Sequence, residues 1–211
     1  MTNQKYIPAL SFRWLTPLYD LIIDGPLSIG RMRRGLLAQM GDLRDKKILD
    51  VGSGTGTMSV LVKQAFPTAQ VVGLDGDPQI LDIARSKARS LGIEVQFDQG
   101  MSFELPYPDH SFDIVLTSMM LHHLTGQDKQ QTAREMYRVL RSGGKLFGAD
   151  FAAPRSAFGK ALRPITRRFE RVAENVDGLL PGMFRDAGFN DYAETDRYFL
   201  GSIALFQGSK T

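Results

Sequence analysis

Cysteine is missing altogether from the 211 residues. That excludes disulfides, thiolate metal sites and a thiol nucleophile. Histidine is scarce, at three, and tryptophan occurs once. Apart from the adjacent pair His122-His123, no histidines and carboxylates stand at metal-ligand spacing, so no metal is expected. No run of about 18 apolar residues occurs, so no membrane-spanning helix is expected. The opening Met1-Thr2-Asn3-Gln4-Lys5-Tyr6 leads into no apolar stretch with a small-residue cleavage site, so no signal peptide is expected either. These absences suit a cytoplasmic protein. Repeats, low-complexity tracts and a second-domain linker are also lacking.

What is present is an ordinary globular composition, 43% hydrophobic and 23% charged, long enough for one sizeable core. The net charge of +3 is unevenly placed. From Arg155 to Arg171 there are six basic residues and one acid, a local +5 that leaves −2 for the remainder.

The chain is organised around Ile48-Leu49-Asp50-Val51-Gly52-Ser53-Gly54-Thr55-Gly56. The apolar run Lys47 to Val51 reads as a buried strand, and Met58, Leu61, Val62 and Ala65 fall at helical spacing after the glycines. Strand, glycine turn and helix bring backbone N–H groups and a helix N-terminus to a nucleotide-like ligand. Further strands are expected over Gln70–Asp75, Glu94–Asp98, Phe112–Ser118 and Lys145–Asp150, with two closing strands at about Tyr192–Thr195 and Ser202–Gly208. Helices are expected over Ser28–Met40, Pro78–Leu91 with Asp77 as N-cap, Lys129–Leu140 stopped by Ser142-Gly143-Gly144, and Asp177–Ala187. Ahead of the first strand, residues 9 to 23 suit a helix entered at Pro17, either packed on a sheet edge or capping the glycine turn. Alternating strands and helices imply an α/β, doubly wound, mainly parallel sheet with ligands at the C-terminal strand ends.

Asp75 ends the second strand, 19 positions after Gly56, where a carboxylate can accept from ribose hydroxyls. With Asp77 better placed as the cap, Asp75 is left for a ligand. A dinucleotide fingerprint, Gly-x-Gly-x-x-Gly, needs a third glycine where the chain has Thr57 or Ser59. Asp50 at the strand end also suits an ammonium group better than a diphosphate.

With these residues, the chain resembles the class I S-adenosylmethionine-dependent methyltransferases, in the small-molecule group of the ubiquinone/menaquinone-biosynthesis enzymes. The matching stretches are residues 48 to 56, Val72-Gly73-Leu74-Asp75, Leu105 to Asp113, Leu121-His122-His123-Leu124, Glu135 to Gly144 and Leu180 to Phe189. The resemblance implies a Rossmann-like seven-stranded sheet with an antiparallel last strand and an N-terminal helical cap. One domain would divide into a cap over 1–45, a cofactor core over 46–150 and a lid-like segment with closing strands over 151–211. It also implies roles. Gly52, Ser53 and Gly54 would lie against the methionine moiety and Asp50 near its ammonium. Asp75 would hold the ribose, flanked by Gly76 and Asp77. Gly100, Met101 and Ser102 would border the adenine, and Thr117 and Ser118 would line the floor near the sulfonium. One position departs from the pattern: relatives carry Gly-Asp-Ala where this chain has Gly100-Met101-Ser102, so the adenine amino group loses a carboxylate partner unless Asp98 or Ser102 supplies one.

The expected reaction is methyl transfer to a small or amphipathic acceptor, with a quinone or lipid among the candidates. The alternative is a non-methylating, cofactor-binding module of the same fold. His122 and His123 are the candidate proton acceptors, set against a plain packing role at a helix start. Tyr19 and Asp20 match a Tyr-Asp element that closes over the cofactor. The stretch 158–172 is amphipathic, with Lys160, Arg163, Arg167 and Arg171 on one face; it suits core packing, a substrate lid or peripheral contact with an anionic membrane. No aromatic-and-basic surface supports nucleic acid.

Overall fold

The computed structural model describes residues 29–155, 160, 161, 163, 164, 167, 171–198 and 201–211. The expected helix from Pro17 toward Ile23, with Tyr19 and Asp20, lies outside the described residues.

Strands β1 (Lys47–Val51), β2 (Gln70–Asp75), β3 (Gln96–Gln99), β4 (Phe112–Ser118), β5 (Leu140–Phe151), β6 (Ala193–Tyr198) and β7 (Ile203–Ser209) form one sheet in the order β3-β2-β1-β4-β5-β7-β6. β1 to β5 run parallel, and β7 is antiparallel to both β5 and β6. The strand order reverses beside β1, so the crevice opens above the C-terminal ends of β1 and β4.

Each strand feeds alternate side chains to opposite faces. On one face Ile48, Ile114, Leu116, Phe147 and Leu205 pack with Met32, Leu36 and Met40 of α1 (Ile29–Met40) and with Met58 and Val62 of α2 (Thr57–Ala65). On the other, Leu49, Val72, Val115, Leu146 and Phe206 pack with Met136 of α4 (Gly126–Val139) and Phe184 of α6 (Leu180–Asp186). Each large side chain fully enclosed this way contributes about 1.5–3 kcal/mol, which is why parallel strands here read as continuous apolar runs. α1 is therefore a layer of the core. α3 (Pro78–Ser90) opens as expected: Asp77 accepts from the N–H groups of Gln79 and Ile80 at 2.9 and 3.4 Å.

Several boundaries differ from expectation. β3 sits two residues later at its start. α4 ends at Val139 and passes straight into β5, because Leu140 is buried and pairs with Phe112. Ser142-Gly143-Gly144 consequently lies within β5, where Gly143 N–H donates to the Lys210 carbonyl and Lys210 N–H to the Gly144 carbonyl. The helix expected over 177–187 is two short ones, α5 (Ala173–Val176) and α6, separated by Gly178 at φ +78°. The penultimate strand runs to Tyr198.

Candidate active site

The glycine turn is held by the backbone of the next strand. The N–H groups of Gly52 and Ser53 both donate to the Leu74 carbonyl, at 2.8 and 2.9 Å. Gly52 has φ +71°, and a Cβ there would stand 2.1 Å from Met120 Cγ, so Met120 closes over the turn from the end of β4. Gly54 also has positive φ, yet among the described residues a Cβ there would meet nothing within 4 Å. Beside it the Ser53 hydroxyl is buried without a hydrogen-bond partner among the described residues. α2 begins immediately after, behind Gly56 and with no side chain capping it, so its first N–H groups remain available. Lys87 of α3 grips the far side of the turn through the hydroxyls of Thr55 and Thr57, at 3.1 and 2.9 Å.

Two carboxylates stand at this end. Asp75 Oδ2 accepts from the Gly54 N–H at 2.9 Å and Oδ1 from the Asp77 N–H at 3.0 Å. Burial raises its carboxyl above the ordinary value, against the lowering by those N–H groups. One acceptor site per oxygen remains for a ligand. Asp50 is 1% exposed and accepts from the Ser59 hydroxyl at 2.6 Å, so its first task is to pin α2 beneath the turn. Burial pushes its carboxyl up to about 6, partly countered by Ser59.

At the ends of β3 and β4 the expected residues separate. Gly100 N–H donates to the Asp75 carbonyl at 3.0 Å, and Met101 pairs across a turn with Glu104. Ser102 turns away: it is buried, with its hydroxyl 2.9 Å from that of Thr132 on α4. Asp98 accepts from Tyr107 at 2.9 Å and from Gln96. Ser102 is therefore occupied away from the crevice, whereas Asp98 Oδ1 accepts only from Gln96 and keeps a further acceptor site. Thr117 is fully buried and donates to the Val51 carbonyl at 2.9 Å, which places it beneath the floor of the crevice instead of on it. Ser118, one residue on, has a buried hydroxyl with no partner among the described residues. Met119 follows at φ +57°, an unfavourable conformation for a side chain of that size, and its N–H donates to the Ala149 carbonyl.

Beyond Met120, a short 3₁₀ turn, Leu121–His123, presents the histidines. His122 is 7% exposed, with Nδ1 2.9 Å from Asp150 Oδ1; His123 is exposed and tilted against it at 4.0 Å between ring centroids. Asp150, at the end of β5, and Asn175, on α5, were not singled out as site residues from the sequence. Asp150 occupies a strand end, as Asp75 does, and that signal was available. Asn175 carries no such signal; it arrives through the return of the chain after β5. Lys129, whose side chain is fully buried, secures that return by donating to the Arg171 carbonyl at 2.5 Å and to Glu174 at 2.8 Å. In the basic stretch, Arg163 and Arg167 both pair with Asp177, at 2.7 and 3.0 Å, so their charges face this chain's own acid. Phe158, Leu162, Ile165 and Phe169 lie outside the described residues.

The sheet order with its antiparallel β7, the turn at its switch point and the ribose-type carboxylate define a class I methyltransferase. Known proteins agree. The model of a family described as a methyltransferase domain matches residues 48–144. A demethylmenaquinone methyltransferase of Thermus thermophilus is 37% identical over 177 residues, covering 82% of this chain and 78% of that protein. A ubiquinone/menaquinone biosynthesis C-methyltransferase, UbiE, of Haemophilus ducreyi is 32% identical over 209 residues, covering 96% and 75%. Among solved structures, the YcgJ protein of Bacillus subtilis superposes with a TM-score of 0.67 at 21% identity, covering 85% of this chain and 98% of that one, which supports the fold alone. The chain belongs to the ubiquinone/menaquinone-biosynthesis type of S-adenosylmethionine-dependent methyltransferases. The crevice suits that cofactor: among the described residues nothing crowds Gly54, and the buried hydroxyls of Ser53 and Ser118 lack partners.

Proposed function

We propose that this enzyme methylates a quinone-like small molecule in its reduced, hydroxylated form. The transfer of methyl from S-adenosylmethionine belongs to the family; the acceptor class is drawn from the relatives named for demethylmenaquinone and ubiquinone/menaquinone biosynthesis. The observation that carries the reading is the preformed turn, in which no described residue crowds Gly54 while its N–H is locked to Asp75.

The cofactor supplies a methyl already activated by positive sulfur, so the chain's work is positioning and exclusion of water. Gly52, Ser53, Gly54 and the first N–H groups of α2 would hold the methionine end. Asp75, which still has a free acceptor site on each oxygen, would take the ribose hydroxyls, with Gly76 and Asp77 flanking. Asp50 would act from beneath the turn, where its negative charge favours a cation above it. Gly100 and Met101 would border the base by packing and backbone, without a carboxylate. Met120 would shield the reacting centre from water.

Incubation with S-adenosylmethionine and a short-chain 2-prenyl-1,4-naphthohydroquinone tests the reading. Mass spectrometry is expected to detect S-adenosylhomocysteine and a monomethylated ring in equal amounts. Binding of the cofactor with no methylation of any hydroquinone would overturn it.

A further inference from the structure

We propose that His122 Nε2 is the proton acceptor of this reaction, set in place by Asp150 and Asn175, and that the acceptor is therefore one that must surrender a hydroxyl proton. This rests on the methyl-transfer reading above and narrows it to hydroxylated aromatic rings.

The hydrogen-bond pattern fixes the proton. Asp150 is 1% exposed. Its Oδ2 accepts from the Leu121 N–H at 2.8 Å; its Oδ1 accepts from the Phe151 N–H at 2.7 Å and from Asn175 Nδ2 at 3.1 Å, with His122 Nδ1 at 2.9 Å. A carboxylate taking three N–H donors is an acceptor towards its fourth neighbour as well, so the neutral imidazole carries its proton on Nδ1. The orientation of Asn175 is equally determined, since the same Nδ2 donates to the Phe151 carbonyl at 3.3 Å. Nε2 is left as the lone-pair nitrogen. Among the described residues it has no hydrogen-bond partner, and it sits two residues past Met120, which covers the glycine turn. Phe151, edge-on at 4.9 Å, and His123 hold the ring plane.

This is an arrangement that makes an imidazole a base: one nitrogen oriented by a buried carboxylate, the other keeping its lone pair. The step balances. The acceptor O–H proton moves to Nε2, and its electron pair stays on oxygen. That pair, directly or relayed through the ring to a carbon, forms the new bond to methyl. The methyl–sulfur pair returns to sulfur. For attack by carbon, loss of the ring C–H proton to water restores aromaticity. The imidazolium is balanced by Asp150 until it releases its proton to solvent. Thioethers, which carry a nucleophilic lone pair and no proton to lose, would have no use for the device.

The test uses His122→Gln and Asp150→Asn in the full chain. ¹⁵N resonances of the imidazole, read without cofactor or acceptor, are expected to report the Nδ1–H form in the parent protein and a gain of the Nε2–H form in Asp150→Asn. In assays with 1,4-naphthohydroquinones graded in O–H acidity, His122→Gln is expected to lower kcat about 100-fold or more for the least acidic acceptor. The loss should shrink to a few-fold for the most acidic, with KM and calorimetric cofactor affinity within about two-fold. If Asp150→Asn does not fold, His122→Gln with the acidity series decides alone. An Nε2–H tautomer in the parent, or an equal loss across the acidity series, would overturn the assignment. Absence of cofactor binding or of any transfer by the parent protein would instead overturn the functional reading on which it rests.

Discussion

The two ends of the crevice are built by different means. The cofactor end is made almost wholly of backbone and of neighbours in sequence: Gly52, Ser53 and Gly54 tie to Leu74 and Asp75 within 22 positions. The acceptor end proposed above is made of side chains from three separate elements, with Asp150 meeting His122 across 28 positions and Asn175 across 25. A shared cofactor needs the same N–H groups in every relative, and only glycine permits the positive φ and the open approach. An acceptor needs a particular side chain, which can come from any element that reaches the strand ends. The cofactor end should therefore fail through geometry, and the acceptor end through chemistry.

Gly52→Ala is the severest test of that contrast. The left-handed φ costs about 1–2 kcal/mol, and displacing Met120 about 1–3 more. Urea unfolding should show a loss of about 2–5 kcal/mol, with cofactor affinity down at least about 100-fold; near-normal binding would show that the turn does not shape the site.

Asp50 comes next, through pH. Its folded-state value of about 6 lies above the ordinary 3.8, so between these limits the folded protein holds more proton than the unfolded chain. The stabilisation from this group is full below about pH 4 and is lost as pH rises through about 6, an effect approaching about 3 kcal/mol. In Asp50→Asn that component should vanish from the pH dependence of stability measured by urea titration. Identical pH dependence in the two proteins would refute it.

Asp75→Asn should lose about 1–3 kcal/mol of cofactor affinity, about 10–100-fold, because an amide cannot accept on both sides from the Gly54 and Asp77 N–H groups and from the ribose. Saturating cofactor should restore most of kcat, in contrast to the acceptor-end variants.

Met101→Asp is the smallest, a gain of about three- to ten-fold in cofactor affinity, roughly the value of one hydrogen bond to the adenine amino group. An analogue methylated on that amino group should cancel the gain; a gain that persists with the analogue would place the new carboxylate elsewhere.

The same contrast decides how much could be read from the sequence. The glycine turn, Asp75 at its strand end and the Asp77 cap are local patterns, and each stands where it was expected. β1, β2, β4, β5 and β7 also follow, since burial on both faces leaves apolar runs, whereas the antiparallel close was implied by the resemblance to the methyltransferases and not by any run. Boundaries shifted where a long-range partner outweighed a local signal: Leu140 joined β5 because Phe112 waits beside it, and Gly178 divided a helix that apolar spacing suggested was continuous. Thr117 and Ser102 show the limit for side chains. Thr117 sits near the end of β4 and Ser102 just beyond β3, but Thr117 is spent on the Val51 carbonyl and Ser102 on Thr132, choices set by residues 66 and 30 positions away. Asp150 and Asn175 belong to that same non-local class. The paired Arg163 and Arg167 do too, since helical spacing alone placed them facing outward and Asp177 draws them in.

The most direct measurement is calorimetric titration of S-adenosylmethionine into the parent protein and Gly54→Ala. The added Cβ meets no atom of the described residues within 4 Å and would intrude on the space proposed for the cofactor. The parent should bind, whereas Gly54→Ala should unfold within about 1–2 kcal/mol of it, the φ penalty alone, and bind at least about 10-fold more weakly. Equal affinity in the two would contradict a cofactor seat built on this turn.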